Sequence, residues 1–195
     1  MSATNRGTKR KESDFYATPL NAIQDLLNNY EVASENDLIL EPSAGNGAII
    51  KALRNYEYTN HITAFEIREE EREILNGYAD KVEIINYLEC DPQQVGKFDC
   101  IIGNPPYSLA QEFIDKSLEL LKPGGRIIFL LRTSFLESKK RFQWWQDKPP
   151  TRLYTLSNRP SFTGKGTDAS SYSWFIWEKS RYCDQFIKHQ EIRII

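Results

Sequence analysis

The chain reads as an α/β fold, with a mostly parallel twisted sheet covered by helices on both faces. Short apolar runs alternate with amphipathic stretches, as parallel strands and their crossover helices do. A glycine turn follows the first apolar run directly, and every apolar run falls short of the ~20 residues that span a bilayer. Those three features set the class, and each element then falls into place along the chain.

Residues 1–13 are polar and carry Arg6, Lys9, Arg10 and Lys11, the pattern of a flexible basic tail without a signal peptide. A cytoplasmic protein with no membrane partner is expected. Phe15-Tyr16-Ala17-Thr18-Pro19 leads into Leu20, Ile23, Leu26 and Leu27 at helical spacing, with Thr18 suited to the N-cap and Pro19 to the first helical position. Leu38-Ile39-Leu40 reads as a buried strand ending at Glu41. The turn Pro42-Ser43-Ala44-Gly45-Asn46-Gly47 opens a helix from Ala48 to Tyr56.

The alternation continues with a strand from His61 to Phe65, a charged helix from Arg68 to Leu75, and strands at Val82–Ile85 and Phe98–Ile102. Ser108 to Leu121 is an amphipathic helix stopped by Pro123-Gly124-Gly125, and Ile127 to Leu131 is the most apolar strand. Beyond Ser134 the pattern loosens. A helix is expected over Phe135–Trp145, with Trp144 and Trp145 in the core or an interface, then strands at Leu153–Leu156 and Tyr172–Trp177, the last antiparallel. Ser157 to Ser170 is rich in Gly, Ser, Thr, Asn and Pro, a long loop of the kind that carries function. At 195 residues the chain has room for one domain, expected over 14–195, with a substrate-facing insert around 135–170 and no separate recognition domain.

Charge is unevenly placed. Residues 1–121 hold 11 Lys and Arg against 21 Asp and Glu, a net of −10; residues 122–195 hold 14 against 6, a net of +8. A basic face that meets phosphates is one reading of the C-terminal part, and an uneven solvated surface is the other. Cys90, Cys100 and Cys183 are odd in number and lack metal-ligand spacing, so no metal site is expected.

Ligands of open α/β sheets bind beyond the carboxyl ends of the strands, where Glu41 to Gly47 lies. Gly45 and Gly47 allow close backbone approach, and Glu66 follows Gly47 by 19 residues, near the ~20 at which an acid grips ribose hydroxyls. A full G-x-G-x-x-G would need glycine where Ile50 stands. A single-nucleoside cofactor bearing an amino-acid carboxylate therefore fits better than a dinucleotide, while a mere tight turn with a solvated Glu66 is the plainer alternative.

Asn104-Pro105-Pro106-Tyr107 follows the strand Asp99-Cys100-Ile101-Ile102-Gly103. An aromatic amino nitrogen is a poor nucleophile because its lone pair is delocalised. Two acceptors binding both amino protons, the Asn104 side-chain carbonyl and the Pro105 backbone carbonyl, would draw it toward tetrahedral geometry and steady the charge that builds there. Pro105 and Pro106 stiffen the acceptors, and Tyr107 offers a face to an unstacked base.

Together these segments resemble S-adenosylmethionine-dependent N6-adenine DNA methyltransferases with the cofactor motifs first. The residues that carry the resemblance are Phe15-Tyr16-Ala17-Thr18-Pro19, then Glu41 to Gly47, then Asn104 to Tyr107. Its compact form, with Ser171-Tyr172-Ser173-Trp174-Phe175-Ile176-Trp177 near the end, looks like small phage or prophage enzymes. The resemblance implies a Rossmann-like methyltransferase fold, S-adenosyl-L-methionine as cofactor and DNA as partner. It implies that Phe15, Tyr16 and Thr18 help hold the methionine end, that Glu41, Ser43, Gly45 and Gly47 form the glycine motif, that Glu66 binds the ribose, and that Ile67 packs on the cofactor adenine.

Two departures stand out. Where the family often has Asp followed by Phe-Leu after the third strand, this chain has Asn86-Tyr87-Leu88, with Asp91 as the alternative contact to the cofactor adenine. No stretch is left for a dedicated target-recognition domain, so sequence preference is loose, set by residues 139–162, or supplied by another subunit. Phe162 is a candidate to stack on the flipped base opposite Tyr107, and Lys139, Lys140, Arg141, Arg159 and Lys165 are candidate phosphate contacts. Adenine in RNA and the glutamine amide of release factors remain alternative acceptors, and a non-catalytic binding subunit is the alternative of another class.

Overall fold

The computed structural model describes residues 17–162, 168–182 and 191–195. The basic tail, Phe15, Tyr16 and Lys165 lie outside the described residues. In chain order the elements are α1 (Leu20–Asn29), β1 (Ile39–Glu41), α2 (Ala48–Asn55), β2 (Ile62–Glu66), α3 (Arg72–Asn76), β3 (Lys81–Ile84), α4 (Pro92–Val95), β4 (Phe98–Gly103), α5 (Ala110–Leu120), β5 (Leu121–Arg132), α6 (Phe142–Asp147), β6 (Arg152–Thr155), β7 (Tyr172–Glu178) and β8 (Glu191–Ile194). The strands form one sheet in the order β3-β2-β1-β4-β5-β7-β6-β8. Pairings from β3 through β5 are parallel, and β7 runs antiparallel between β5 and β6. The strand order reverses between β1 and β4, which opens a crevice at their carboxyl ends.

Alternating side chains send two apolar layers to opposite faces. On one face Ile39, Cys100, Ile128, Trp174 and Ile176 meet Ile23 and Leu26 of α1 and Ile49, Ile50 and Leu53 of α2. On the other, Leu40, Ile101, Phe129, Phe175 and Trp177 meet Phe113, Ile114 and Leu120 of α5. Strand β7 serves both layers: Trp174 donates its indole N–H to Ala22 O at 2.9 Å, while Trp145 stacks against Phe175 and Trp177 on the far side. Trp144 and Trp145 therefore pack inward, as half-buried core.

Several boundaries differ from the sequence expectation, each for a local reason. Pro19, not Thr18, is the residue before the first helical turn of α1, and its carbonyl accepts from Ala22 N and Ile23 N; Thr18 makes no cap hydrogen bond and is buried. The charged stretch after β2 splits into a 3-10 turn, Glu69–Glu71, and the short α3, because Arg68 is drawn back onto Glu66 and Glu71. The helix expected over Phe135–Trp145 breaks into two 3-10 turns before α6. There the Arg141 guanidinium donates to Phe135 O from both Nε and Nη2 and lies over the Phe135 ring at 4.4 Å, which holds the chain in a tight loop. Pairing in β5 begins at Leu121, opposite Phe98, and resumes at Arg126, opposite Cys100, so Pro123-Gly124-Gly125 forms an irregularity inside the strand. Strand β8, beside β6, had no expectation from sequence.

Candidate active site

Most polar groups of the crevice come from a strand end or the turn after it. Beyond Glu41 the chain reverses at once, with Ala44 N donating to Phe65 O and Gly47 N to Ala44 O. Gly45 (φ 54°) and Gly47 (φ 73°) adopt the left-handed conformation that side chains resist. A Cβ on Gly47 would also meet Leu75 Cδ2 at 3.2 Å, so this glycine seats the turn against α3. Gly45, Asn46 and Ala48 face the cleft, and Gly47 does not.

Glu66 clasps that turn. Its Oε2 accepts from Gly45 N at 2.7 Å, and its Oε1 accepts from Ile67 N, Arg68 N and Arg68 Nε. Glu41 is a second buried acid on the same wall, 2% exposed. Burial pushes its carboxyl well above the usual carboxylate range, the nearby Glu66 charge adds to this, and a hydrogen bond from Ile50 N pulls the other way. Glu41 Oε2 and Ser43 Oγ are buried and find no hydrogen-bond partner among the described residues. Unpaired buried acceptors are costly, so two on one wall point to a donor that arrives with a ligand.

The cleft holds about 860 Å³ of space, open solvent at its mouth included. Thr18 reaches it from the N-terminal side. Ile67, 62% exposed, Asn86, Tyr87 and Leu88 form the far end. Asn86 accepts from Leu88 N and donates to Glu89, which leaves it at the cleft, whereas Asp91 lies outside and caps α4 through Gln93 N. Arg68, Leu109 and Phe113 also line the cleft, although none was a sequence candidate. Phe113 belongs to an amphipathic pattern that reads as plain core; only the fold-back of the chain after β4 brings α5 to the ligand side.

The loop after β4 divides its residues between two roles. Asn104 and Pro106 line the cleft; Pro105 is buried behind them. Asn104 Oδ1 is a third buried acceptor without a partner among the described residues. Tyr107 departs from expectation, because its ring is turned off the cleft wall. It packs on Tyr172, centroids 5.6 Å apart, with the Arg132 guanidinium over its ring at 5.4 Å, and its buried hydroxyl has no well-directed hydrogen bond. Phe162 meets the same Tyr172 at 5.0 Å. Tyr107 and Phe162 are thus bridged by a third ring, not set as two jaws of one clamp. Asp168 pins the late loop beside them: its N–H donates to Pro160 O, and its carboxylate accepts from Tyr172 OH and Ser170 N.

Among the candidate phosphate contacts, Lys139, Lys140 and Arg159 are exposed. Arg141 is half-buried, and its guanidinium donates from Nε and Nη2 to the Phe135 carbonyl and lies over the Phe135 ring. The described residues contain no cluster of groups able to hold a metal ion and no helix long and apolar enough to cross a membrane.

Comparison with solved structures decides the fold. A Listeria monocytogenes protein described as a class I S-adenosylmethionine-dependent methyltransferase superposes with a TM-score of 0.66, at 14% identity, over 90% of this chain and 64% of its own. The chain has the class I methyltransferase fold. S-adenosylmethionine is the cofactor this fold implies, and the cleft suits it: unpaired acceptors at Glu41 and Ser43 for an ammonium, Glu66 at the end of β2 for ribose hydroxyls, and apolar Ile67 and Leu88 for a purine. No family model matches the sequence. Among curated proteins, the Type II methyltransferase M.HincII of Haemophilus influenzae is 31% identical over 134 residues, 54% of this chain and 25% of that protein. The ribosomal RNA small subunit methyltransferase A of Mycoplasma mycoides is 31% identical over 122 residues, 58% of this chain and 44% of that protein. The chain thus spans a quarter to less than half of the length of these relatives.

Proposed function

We propose that the chain transfers the methyl group of S-adenosylmethionine to the N6 amino group of adenine in DNA. The observation that carries the proposal is Asn104 Oδ1, a buried acceptor with no partner among the described residues, at the edge of the cofactor cleft, directly after β4 and backed by two prolines. An acceptor left unpaired in that place suits a substrate that brings its own N–H groups. Asn104 Oδ1 and the Pro105 carbonyl would take one amino proton each, and the stiff Pro-Pro backbone keeps both acceptors aimed as positive charge grows on the nitrogen. When bound, the cofactor supplies a methyl group already activated on a sulfonium. The chain's task is therefore alignment and exclusion of water.

Thr18, Glu41 and Ser43 would hold the methionine end, with Phe15 and Tyr16 just upstream; Gly45 and Glu66 the ribose; Ile67 and Asn86 the adenine. The similarity to M.HincII supports a DNA acceptor. The similarity to a ribosomal RNA methyltransferase supports adenine in RNA as the second reading, since either polymer can present an unstacked adenine. Lys139, Lys140 and Arg159 are proposed backbone contacts, and the cytoplasm is the proposed place of action.

Labelled cofactor offered with duplex DNA, single-stranded DNA, RNA and a release factor separates the readings. Label in N6-methyladenine of DNA is the expected result; label confined to protein glutamine would overturn the proposal. Asn104→Ala should lower transfer roughly 100- to 1,000-fold, the cost of one lost transition-state contact. Cofactor affinity, read by calorimetry, should stay near the wild-type value. Loss of cofactor binding in a folded variant would mean that Asn104 serves the cofactor and not the acceptor.

A further inference from the structure

Arg132 has no part in the cofactor cleft, yet it stands beside the catalytic loop in a defined pose. It is the last residue of β5, exposed at the carboxyl end of the sheet, and is in register with Tyr172 at the start of β7. Gly103, the residue before Asn104, pairs with Phe129 three residues earlier on the same strand. The Arg132 side chain extends past that point to Tyr107, with the guanidinium carbon 5.4 Å from the ring centroid. Its Nε donates to Tyr172 OH at 3.4 Å, and Tyr172 OH in turn donates to Asp168 Oδ2. Two aromatic side chains thus hold the guanidinium; no carboxylate among the described residues pairs with it directly, and Asp168 acts on its charge from beyond ion-pair distance.

Two other arginines in this part of the chain are committed, Arg141 to the Phe135 carbonyl and Arg152 to Glu178 and Glu191, whereas Arg159 is exposed. An exposed guanidinium steered by aromatic faces, with N–H donors unused among the described residues and next to the acceptor loop, suits an anion with two oxygens to fork onto, such as a phosphodiester. We propose that Arg132 binds the backbone phosphate flanking the adenosine that enters the Asn104–Tyr107 loop. Tyr172, itself held by Asp168, is the positioning residue that aims it. The inference rests on the proposed nucleic-acid substrate and adds to it a named contact within reach of the reacting base. Phosphate contacts fix register and carry no sequence information. Arg132 would therefore act alike on every sequence.

The test is the salt dependence of binding to a fluorescent DNA duplex carrying one unpaired adenine, with cofactor present. Arg132→Ala should bind about tenfold more weakly at low salt, as expected for a lost charge-assisted hydrogen bond. Its slope of log affinity against log salt should fall by about 0.9, one phosphate. Arg132→Lys should keep most of the slope, and Lys97→Ala, an exposed cation at the opposite end of the sheet, should leave it unchanged. Tyr172→Phe, which removes the hydrogen bond but keeps the ring, should weaken binding while keeping the full slope. An Arg132→Ala slope equal to wild type would overturn the proposal. So would a loss of turnover with unaltered DNA affinity, which would make Arg132 a support for Tyr107 alone. Binding is read without turnover, so a wild-type protein that methylates no nucleic acid would sink the substrate reading, while the slope still decides on Arg132.

Discussion

Glu41 shows how one residue couples stability to ligand binding. Its carboxyl is buried against the Glu66 charge, and one oxygen has no partner among the described residues, so ionisation costs the empty protein free energy. The folded value lies above the unfolded one. Its favourable contribution is therefore complete below the unfolded pKa of about 4.3, and is lost as pH rises through the folded value. A cofactor ammonium would favour the ionised form. Cofactor affinity of the wild type should accordingly increase as pH rises through that raised pKa, while Glu41→Gln, with no proton to release, gives a flat and weaker profile. Glu41→Gln should also melt higher than the empty wild type at neutral pH, and the advantage should vanish near pH 4. A variant with wild-type affinity and slope would remove Glu41 from the cofactor site. The acid itself was legible as the last residue of an apolar run; its lost charge balance was not, because that depends on Glu66 arriving from the next strand.

Elements were legible where one physical requirement ruled. The turn from β1 to α2 needs left-handed backbone twice, and Gly45 and Gly47 supply it in sequence. Gly47→Ala should cost about 1–3 kcal/mol for the strained φ, with a further penalty for crowding Leu75. Thermal melts should place Gly47→Ala below wild type; a melt equal to wild type would show that the turn tolerates a side chain. Where several requirements competed, periodicity misled. The stretch Phe135–Trp145 has helical spacing, but Arg141 reaching back to Phe135, together with the stacking of Trp145 on β7, breaks it into turns. Strand β8 is four residues long and outward-facing at Ile192 and Ile194, too short for a pattern to declare itself.

At the scale of the whole molecule the cleft gathers five separate segments, from Thr18 to Phe113, so a ligand there braces most of the N-terminal half. S-adenosylmethionine at about 100 times its dissociation constant should add ~2.7 kcal/mol, which for a chain of this size raises the melting temperature by roughly 5–10 °C. A rise with a nicotinamide dinucleotide and none with S-adenosylmethionine would overturn the cofactor assignment. Sequence by itself determined the fold class, the glycine turn, the acid after the second strand and the Asn104–Tyr107 loop, because each is a local demand of backbone geometry or strand order. Tertiary structure alone decided the rest: Tyr107 faces Tyr172 and Arg132, Asn86 reaches the cleft while Asp91 caps a helix, and Arg141 reaches back to Phe135. Those outcomes depend on which distant side chain arrives first at a shared hydrogen bond or ring face, and spacing along the chain carries no record of that competition.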